Sequence, residues 1–317
     1  MPNLKHRLKV IKEITYKTYD QFLDDKGFKM AAALSYYAAF SLGPLLIICI
    51  SIAGFIFGEE AVRGELSSQI TYLIGKEGAE MVEIIIKGAS NLTTGFIAGI
   101  ISLILLVLGS LGVFVELQES LNIIWGVEPK PGRGIWGFLK TRVTSFSMVI
   151  ATGFLMMISL IINTFIGLLY KLLGEYVNPA FPATEIINLV SSFIIITLLF
   201  AFMFKYLPDV IISWRYVWIG AVITSILFSV GKYLIGLYLG NSSYSSTYGA
   251  AASFIIIFIW IYYSGIILFL GAEFTHVYRS RYSNSKIEPD ADGIIVPKVS
   301  ELIKKSMEES LSKNKNK

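Results

Sequence analysis

VWIGAVITSILFSVGKYLIGLY, Val217 to Tyr238, is a long apolar run with a single charge, Lys232. As an α-helix it is long enough to cross the roughly 30 Å hydrocarbon core of a bilayer. In lipid no water satisfies backbone N–H and C=O groups, so a segment of this kind has to be helical. Gly220, Thr224, Lys232 and Gly236 share one four-residue row, and Ala221, Ser225, Ser229 and Tyr233 share the next. One face is therefore small and hydroxylated, the composition with which membrane helices approach one another closely.

The rest of the chain repeats the pattern. Of 317 residues, 54% are hydrophobic and 16% charged, against about 25% charged in a typical soluble domain; mean hydropathy is +0.64. Further apolar windows run from Met30 to Phe57, Phe96 to Val115, Met148 to Leu169, Ile186 to Phe204 and Ser253 to Gly271. None alternates with the period of a barrel strand. The fold class expected is all-α: a polytopic membrane protein of six transmembrane helices, with amphipathic helices at both ends and in the first external loop. The first apolar segment is too long for a signal-peptide core and is read as a retained anchor. Cys49 is the single cysteine, which excludes an intrachain disulfide and a multi-thiolate metal site.

Basic residues set the orientation. Lys5, Arg7, Lys9, Lys12, Lys17, Lys26 and Lys29 precede the first span; Lys130, Arg133, Lys140, Arg142, Lys205, Arg215, Arg279 and Arg281 fall on the same side. The opposite side carries only Arg63, Lys76, Lys87 and Lys171, set among Glu59, Glu60, Glu65, Glu77, Glu80 and Glu83. Both termini are expected in the cytoplasm. The formal charge of +4 then reflects an inner basic skirt facing anionic lipid, with no nucleic-acid partner implied. Three regions follow: 1–29, a cytoplasmic amphipathic segment; 30–275, the six-helix domain; and 276–317, a partly disordered cytoplasmic tail ending in a short helix around Val299 to Leu311. Leu4, Leu8, Ile11, Tyr19 and Phe22 recur among lysines as in a surface helix on the inner leaflet, although a solvated basic arm has the same composition. Glu59 to Lys87 reads as two short helices.

Polar groups within the spans are candidate transport-path residues: Lys232, Ser225, Ser229, Tyr233, Ser35, Tyr36, Asn163 and Tyr262. Pro44 removes a backbone donor and kinks the first span. Such groups need partners in lipid, from a polar cavity or from direct bonds between helices. Lys232 either snorkels to the outer interface or faces the bundle. At the inner ends of the helices, Glu116, Glu119, Arg142, Arg215 and Glu273 are candidates for a charge girdle, read as structural ion pairing or as an ion-linked switch.

AAALSYYAAFSLGPLLII, LQESLNIIWGV, KYLPDV, WRYVWIGAVITSILFSVGKYLIGLYLG and YGAAASFIIIFIWIYYSGIILFLGAEFTHV occur in order between Lys29 and about Val277. Together they resemble the YihY/virulence factor BrkB family of bacterial inner-membrane proteins. The resemblance implies a six-helix inner-membrane domain with both termini inside and an envelope function such as lipid export. The family has also carried a ribonuclease label. Metal-dependent nucleases need clustered carboxylates or histidines, whereas this chain has only His6 and His276, and its inner loops offer Glu128 and Asp209. No H-E-x-x-H, G-x-S-x-G or P-loop signature is present, so the expectation is a non-enzyme without metal or cofactor. The leading function is translocation of an amphipathic envelope lipid or small solute; the alternative is a non-transporting scaffold that recruits partners. The sequence leaves the oligomeric state open, a homo-oligomer included.

Overall fold

The computed structural model describes residues 4–39, 60, 64, 83, 112–130, 183–240, 250–283, 287–290 and 293–296. Six helices carry the described fold: α1 (Leu4–Asp24), α2 (27–39), α3 (112–125), α4 (Ala183–Tyr206), α5 (Trp214–Gly240) and α6 (Ala250–Tyr282). Three of them are long and apolar enough to cross a membrane, over Leu189–Tyr206, Trp214–Ile235 and Ile257–Tyr282. These coincide with the fourth, fifth and sixth windows of the sequence; α2 and α3 belong to the first two. The third span, the kink at Pro44, the first external loop apart from residues 60, 64 and 83, which are helical, the stretch 241–249 between α5 and α6, the helix around Val299 and the residues Asn163 and Arg142 lie outside the described residues.

Two findings depart from a purely helical chain with a loose tail. β1 (Val127–Pro129) and β2 (Gly293–Ile295) form an antiparallel two-stranded sheet in which Val127 faces Ile295 and Pro129 faces Gly293. Gly126, at φ 62°, turns the chain out of α3 into β1, a conformation that a Cβ disfavours. In addition, α6 runs without a break past residue 276 to Tyr282, and residues 287–290 and 293–296 lie against the bundle. Ile211 N–H donates to the Glu288 carbonyl (2.9 Å), Asp290 N–H to the Asp209 carbonyl (2.9 Å) and Val296 N–H to the Gly126 carbonyl (2.9 Å). Apolar Val127, Ile294 and Ile295 with backbone groups to satisfy make this strap ordered despite its polar neighbours.

α4 packs on α5, α5 on α6, and α1 on α6. α5 and α6 are antiparallel, and their contact is set by small residues. A Cβ at Gly220 would fall on Thr275 Oγ1, one at Gly271 on Thr224 Oγ1, and one at Gly231 on the Tyr263 hydroxyl. α2 reaches α6 where Gly265 faces Ala31 and Leu34, and reaches α3 where Gly112 faces Tyr37. α1 ends at Asp24 because Lys26 adopts φ 60°, and the Phe22 ring fills the space beside Gly27. The bulkiest fully buried side chains include Trp125, Phe22, Phe204, Phe269, Leu121 and Ile212. Of these, Trp125, Leu121, Phe204 and Ile212 lie where α3 and α4 end and α5 begins, the end that also carries Lys205, Arg215, Arg279 and Arg281.

Candidate functional site: a buried polar cluster at the basic end

α3 presents Gln118 and Asn122, four residues apart and so on one helical face, to the loop between α4 and α5. Gln118 Nε2 donates to Asp209 Oδ1 (3.1 Å) and Asn122 Nδ2 to Asp209 Oδ2 (3.0 Å). The Asp209 amide returns a bond to Asn122 Oδ1 (2.8 Å). Pro208 stops α4, which leaves Asp209 on a turn whose N–H and carboxylate both face α3. Three hydrogen bonds, two of them to a charged acceptor, thus fix the α4–α5 loop to α3.

At the same end of α3, ionisable groups of α6 meet Trp125. Glu273 is fully buried, and His276 and Arg279 on the following turns are also buried. The His276 ring meets Trp125 edge-on at 5.2 Å, and the Arg279 guanidinium sits 5.9 Å from the Trp125 ring centre, within cation–π range. His276 Nδ1 lies 3.3 Å from Gln21 Oε1 of α1. One turn further, Arg281 pairs with Glu13 at 2.9 Å, and Lys17 approaches the same carboxylate at 3.2 Å. The hydrogen bonds from Arg281 and Lys17 hold the Glu13 carboxyl below its ordinary range. A carboxylate, an imidazole and a guanidinium on consecutive turns can bind or pass a proton or hold an anion. Among the described residues no three His, Cys, Asp or Glu side chains are grouped as metal ligands.

The sequence candidates separate under this geometry. Of the girdle, Glu273 is in the cluster, and Glu116 is half-buried beside Ser120, whose hydroxyl is 3.5 Å from its carboxylate. Glu119 and Arg215 are exposed, and neither forms an ion pair among the described residues. Of the candidate path residues, Ser35 and Ser225 are fully buried, whereas Tyr36 and Tyr233 are exposed, at 55% and 68%. Tyr36, one residue after Ser35, points about 100° away from it round the helix, whereas Tyr233 stays on the row of Ser225 and is exposed two turns further along α5. Ser229 and Lys232 are half-buried, and Tyr262 packs against the core.

Among the described residues, five of the span hydroxyls donate to their own helix. Ser35 donates to the Ala32 carbonyl, Thr224 to Gly220, Ser229 to Ser225, Ser264 to Trp260 and Thr275 to Gly271. Each bonds its own preceding turn, an available solution for Ser and Thr in lipid. Ser225 Oγ, fully buried, makes no such bond.

A family model described as virulence factor BrkB matches residues 18–294. The chain belongs to the virulence factor BrkB family. The match runs from α1 into β2, so the strap lies within the family segment of this BrkB chain. A UPF0761 membrane protein of Psychrobacter sp. (strain PRwf-1) is 26% identical over 275 residues, 84% of this chain and 48% of that protein. One of Stenotrophomonas maltophilia (strain K279a) is 28% identical over 266 residues, 80% of this chain and 58% of its own length. One of Tolumonas auensis is 28% identical over 256 residues, 78% of each. The BrkB chain thus spans about half the length of the first of these relatives. No solved structure matches it.

Gln118 and Asn122 belong to the site and are not among the residues singled out from the sequence. Their signal was present: two amides at four-residue spacing just before a tryptophan at a helix end. Asp209 was weighed only as a metal ligand, and its role is to join two helices.

Proposed function

We propose that this BrkB-family membrane protein translocates an amphipathic envelope lipid or a small solute across the cytoplasmic membrane, with its termini inside and no bond-making chemistry of its own. The observation that carries the reading is Glu273, an ionisable side chain fully buried in a membrane helix beside buried His276 and Arg279. Removing a carboxylate from water costs several kcal/mol unless its surroundings compensate. Ionisable groups kept within membrane helices commonly mark ion or substrate pathways. That α1 and the strap after α6 meet at the basic end supports putting both on the inner face, where basic residues are retained.

Purified protein in liposomes, assayed for lipid scrambling and solute flux, tests the reading. Wild type is expected to move at least one of the two, and Glu273→Gln, nearly isosteric and uncharged, to lose most of that movement while expressing normally. Absence of movement by well-folded wild-type protein, or wild-type rates in Glu273→Gln, would overturn it.

The scaffold alternative draws on one observation. α1 leaves Leu8, Ile11, Tyr16 and Tyr19 exposed, a surface able to enter an interface or meet a partner. The flux assay separates the two, since a scaffold moves nothing.

A further inference from the structure

At the basic end, α4 finishes and α5 begins in a ladder of aromatic rings. Phe202 stacks on Tyr206 with ring centres 5.7 Å apart, Tyr206 meets Trp214 at 6.1 Å, and Trp214 meets Trp218 at 6.2 Å. Tyr206, Trp214 and Trp218 are 51%, 40% and 42% exposed. Rings of this size normally bury much of their surface in a core, yet here they are held against one another with their outer faces open. Lys205 is anchored beside them: its ammonium donates to the Ile212 carbonyl (2.6 Å) and lies 6.0 Å from the Trp214 ring centre. Arg215 follows Trp214 and is exposed. The nearby carboxylate of this loop, Asp209, is turned inward and engaged by Gln118 and Asn122. The ladder is thus flanked by two cations with the loop's acid facing away.

Above the ladder the exposed surface continues at four-residue spacing through Val222 and Ile226. From Trp214 to Ile226 this row covers about 18 Å, enough to line one leaflet of a roughly 30 Å hydrocarbon core. A positive pole, an aromatic collar at interfacial depth and an apolar track of leaflet length match a molecule with a negative head and long chains. A soluble acidic peptide would match the pole and leave the track uncovered.

We propose that this face, Lys205 and Arg215 with Tyr206, Trp214 and Trp218, is a binding site for an anionic glycerophospholipid of the inner leaflet. Its phosphate sits between the two cations and its acyl chains lie along α5. As a statement of substrate class this rests on the translocation reading; as a binding site it does not need flux.

The test is retention of lipid by the delipidated full-length protein in detergent, read by native mass spectrometry with phosphatidylglycerol or phosphatidylcholine added. Wild type is expected to retain phosphatidylglycerol more tightly. Arg215→Gln should weaken that retention about fivefold, the value of one cation at an anionic membrane surface, and Arg215→Lys should keep most of it. Replacing both Trp214 and Trp218 by Leu should weaken both lipids, because the collar and not the charge is removed. Equal retention of the two lipids by wild type, unchanged selectivity in Arg215→Gln, or displacement of the lipid by inorganic phosphate would overturn the proposal. Selective binding without any flux would keep the site and remove the translocation reading. Flux in a protein whose Arg215→Gln form still selects phosphatidylglycerol would remove the site alone.

Discussion

Thr275 of α6 occupies the space that a Cβ at Gly220 of α5 would need, and the relation is repeated in reverse by Thr224 and Gly271. Each threonine also donates to the carbonyl of the glycine on its own helix, Thr275 to Gly271 and Thr224 to Gly220, at 2.7 Å in both cases. Gly-x-x-x-Thr on one helix therefore interlocks with Gly-x-x-x-Thr on its antiparallel neighbour. Gly220→Val is expected to destabilise the protein by about 1–3 kcal/mol through overpacking. In a Gly220→Ala background, Thr275→Ala should restore part of the loss, because residues in contact do not act additively. Unfolding in detergent measures both. Strict additivity of the two changes would show that the helices do not meet there.

Asp209 accepts from Gln118 and Asn122 through its two oxygens. Asp209→Asn keeps the shape but replaces one acceptor by a donor, setting two N–H groups against each other. A stability loss of about 1–3 kcal/mol is expected. Gln118→Glu in that background supplies an acceptor for the new amide and should recover part of it. Thermal unfolding of the single and double variants decides.

Glu13 holds Arg281 and thereby fastens α1 to the end of α6. Its carboxyl titrates below the ordinary value in the folded chain because Arg281 and Lys17 bond its charged form. The linkage therefore has a definite sign: the contribution is fully present above the unfolded-state value, near 4.5, and is lost as pH falls through the lower folded value. Spin labels on α1 and α6 should show α1 loosening only in acid. In Glu13→Gln the acid-dependent part should shrink, and an identical pH response in that variant would remove the ion pair from the attachment.

Lys232 is half-buried on α5, one position after the glycine against which the Tyr263 hydroxyl packs. Lys232→Met is expected to preserve expression and lower flux, with Lys232→Arg recovering only part, since a planar guanidinium does not replace a compact ammonium. Wild-type flux in Lys232→Met would leave the lysine as an interfacial anchor.

The helices were legible because a span is written locally: length and apolarity suffice to show α4, α5 and α6 at the fourth, fifth and sixth windows. The packing face of α5 was half legible. Gly220, Thr224 and Ser225 stand on adjacent rows, but their complement in GAEFT of α6 shows itself only once the antiparallel register is known. Thr224, Ser229 and Ser264 each donate to the preceding turn of their own helix, a choice that composition does not announce. Asp209 and Gln118 are separated by 91 positions, and no local pattern announces that pairing. The strand holding Ile294 and Ile295 is not legible in the tail, because three residues are too few to show a period.

The β1–β2 pairing bears on how the protein is made. Val127 leaves the ribosome long before Ile295, its partner, and α4, α5 and α6 are all synthesised in between. Until the strap emerges, Gly126 and Ile211 have no mate for the backbone groups it later satisfies, and the loop holding Asp209 is fastened from one side only. Closing so long a segment carries an entropic cost that local helix contacts do not, which makes the sheet a late event in assembly. A nascent chain arrested after α6 would have its membrane helices inserted but its inner end unsealed, giving quality-control proteases a window that shuts when the last strand docks.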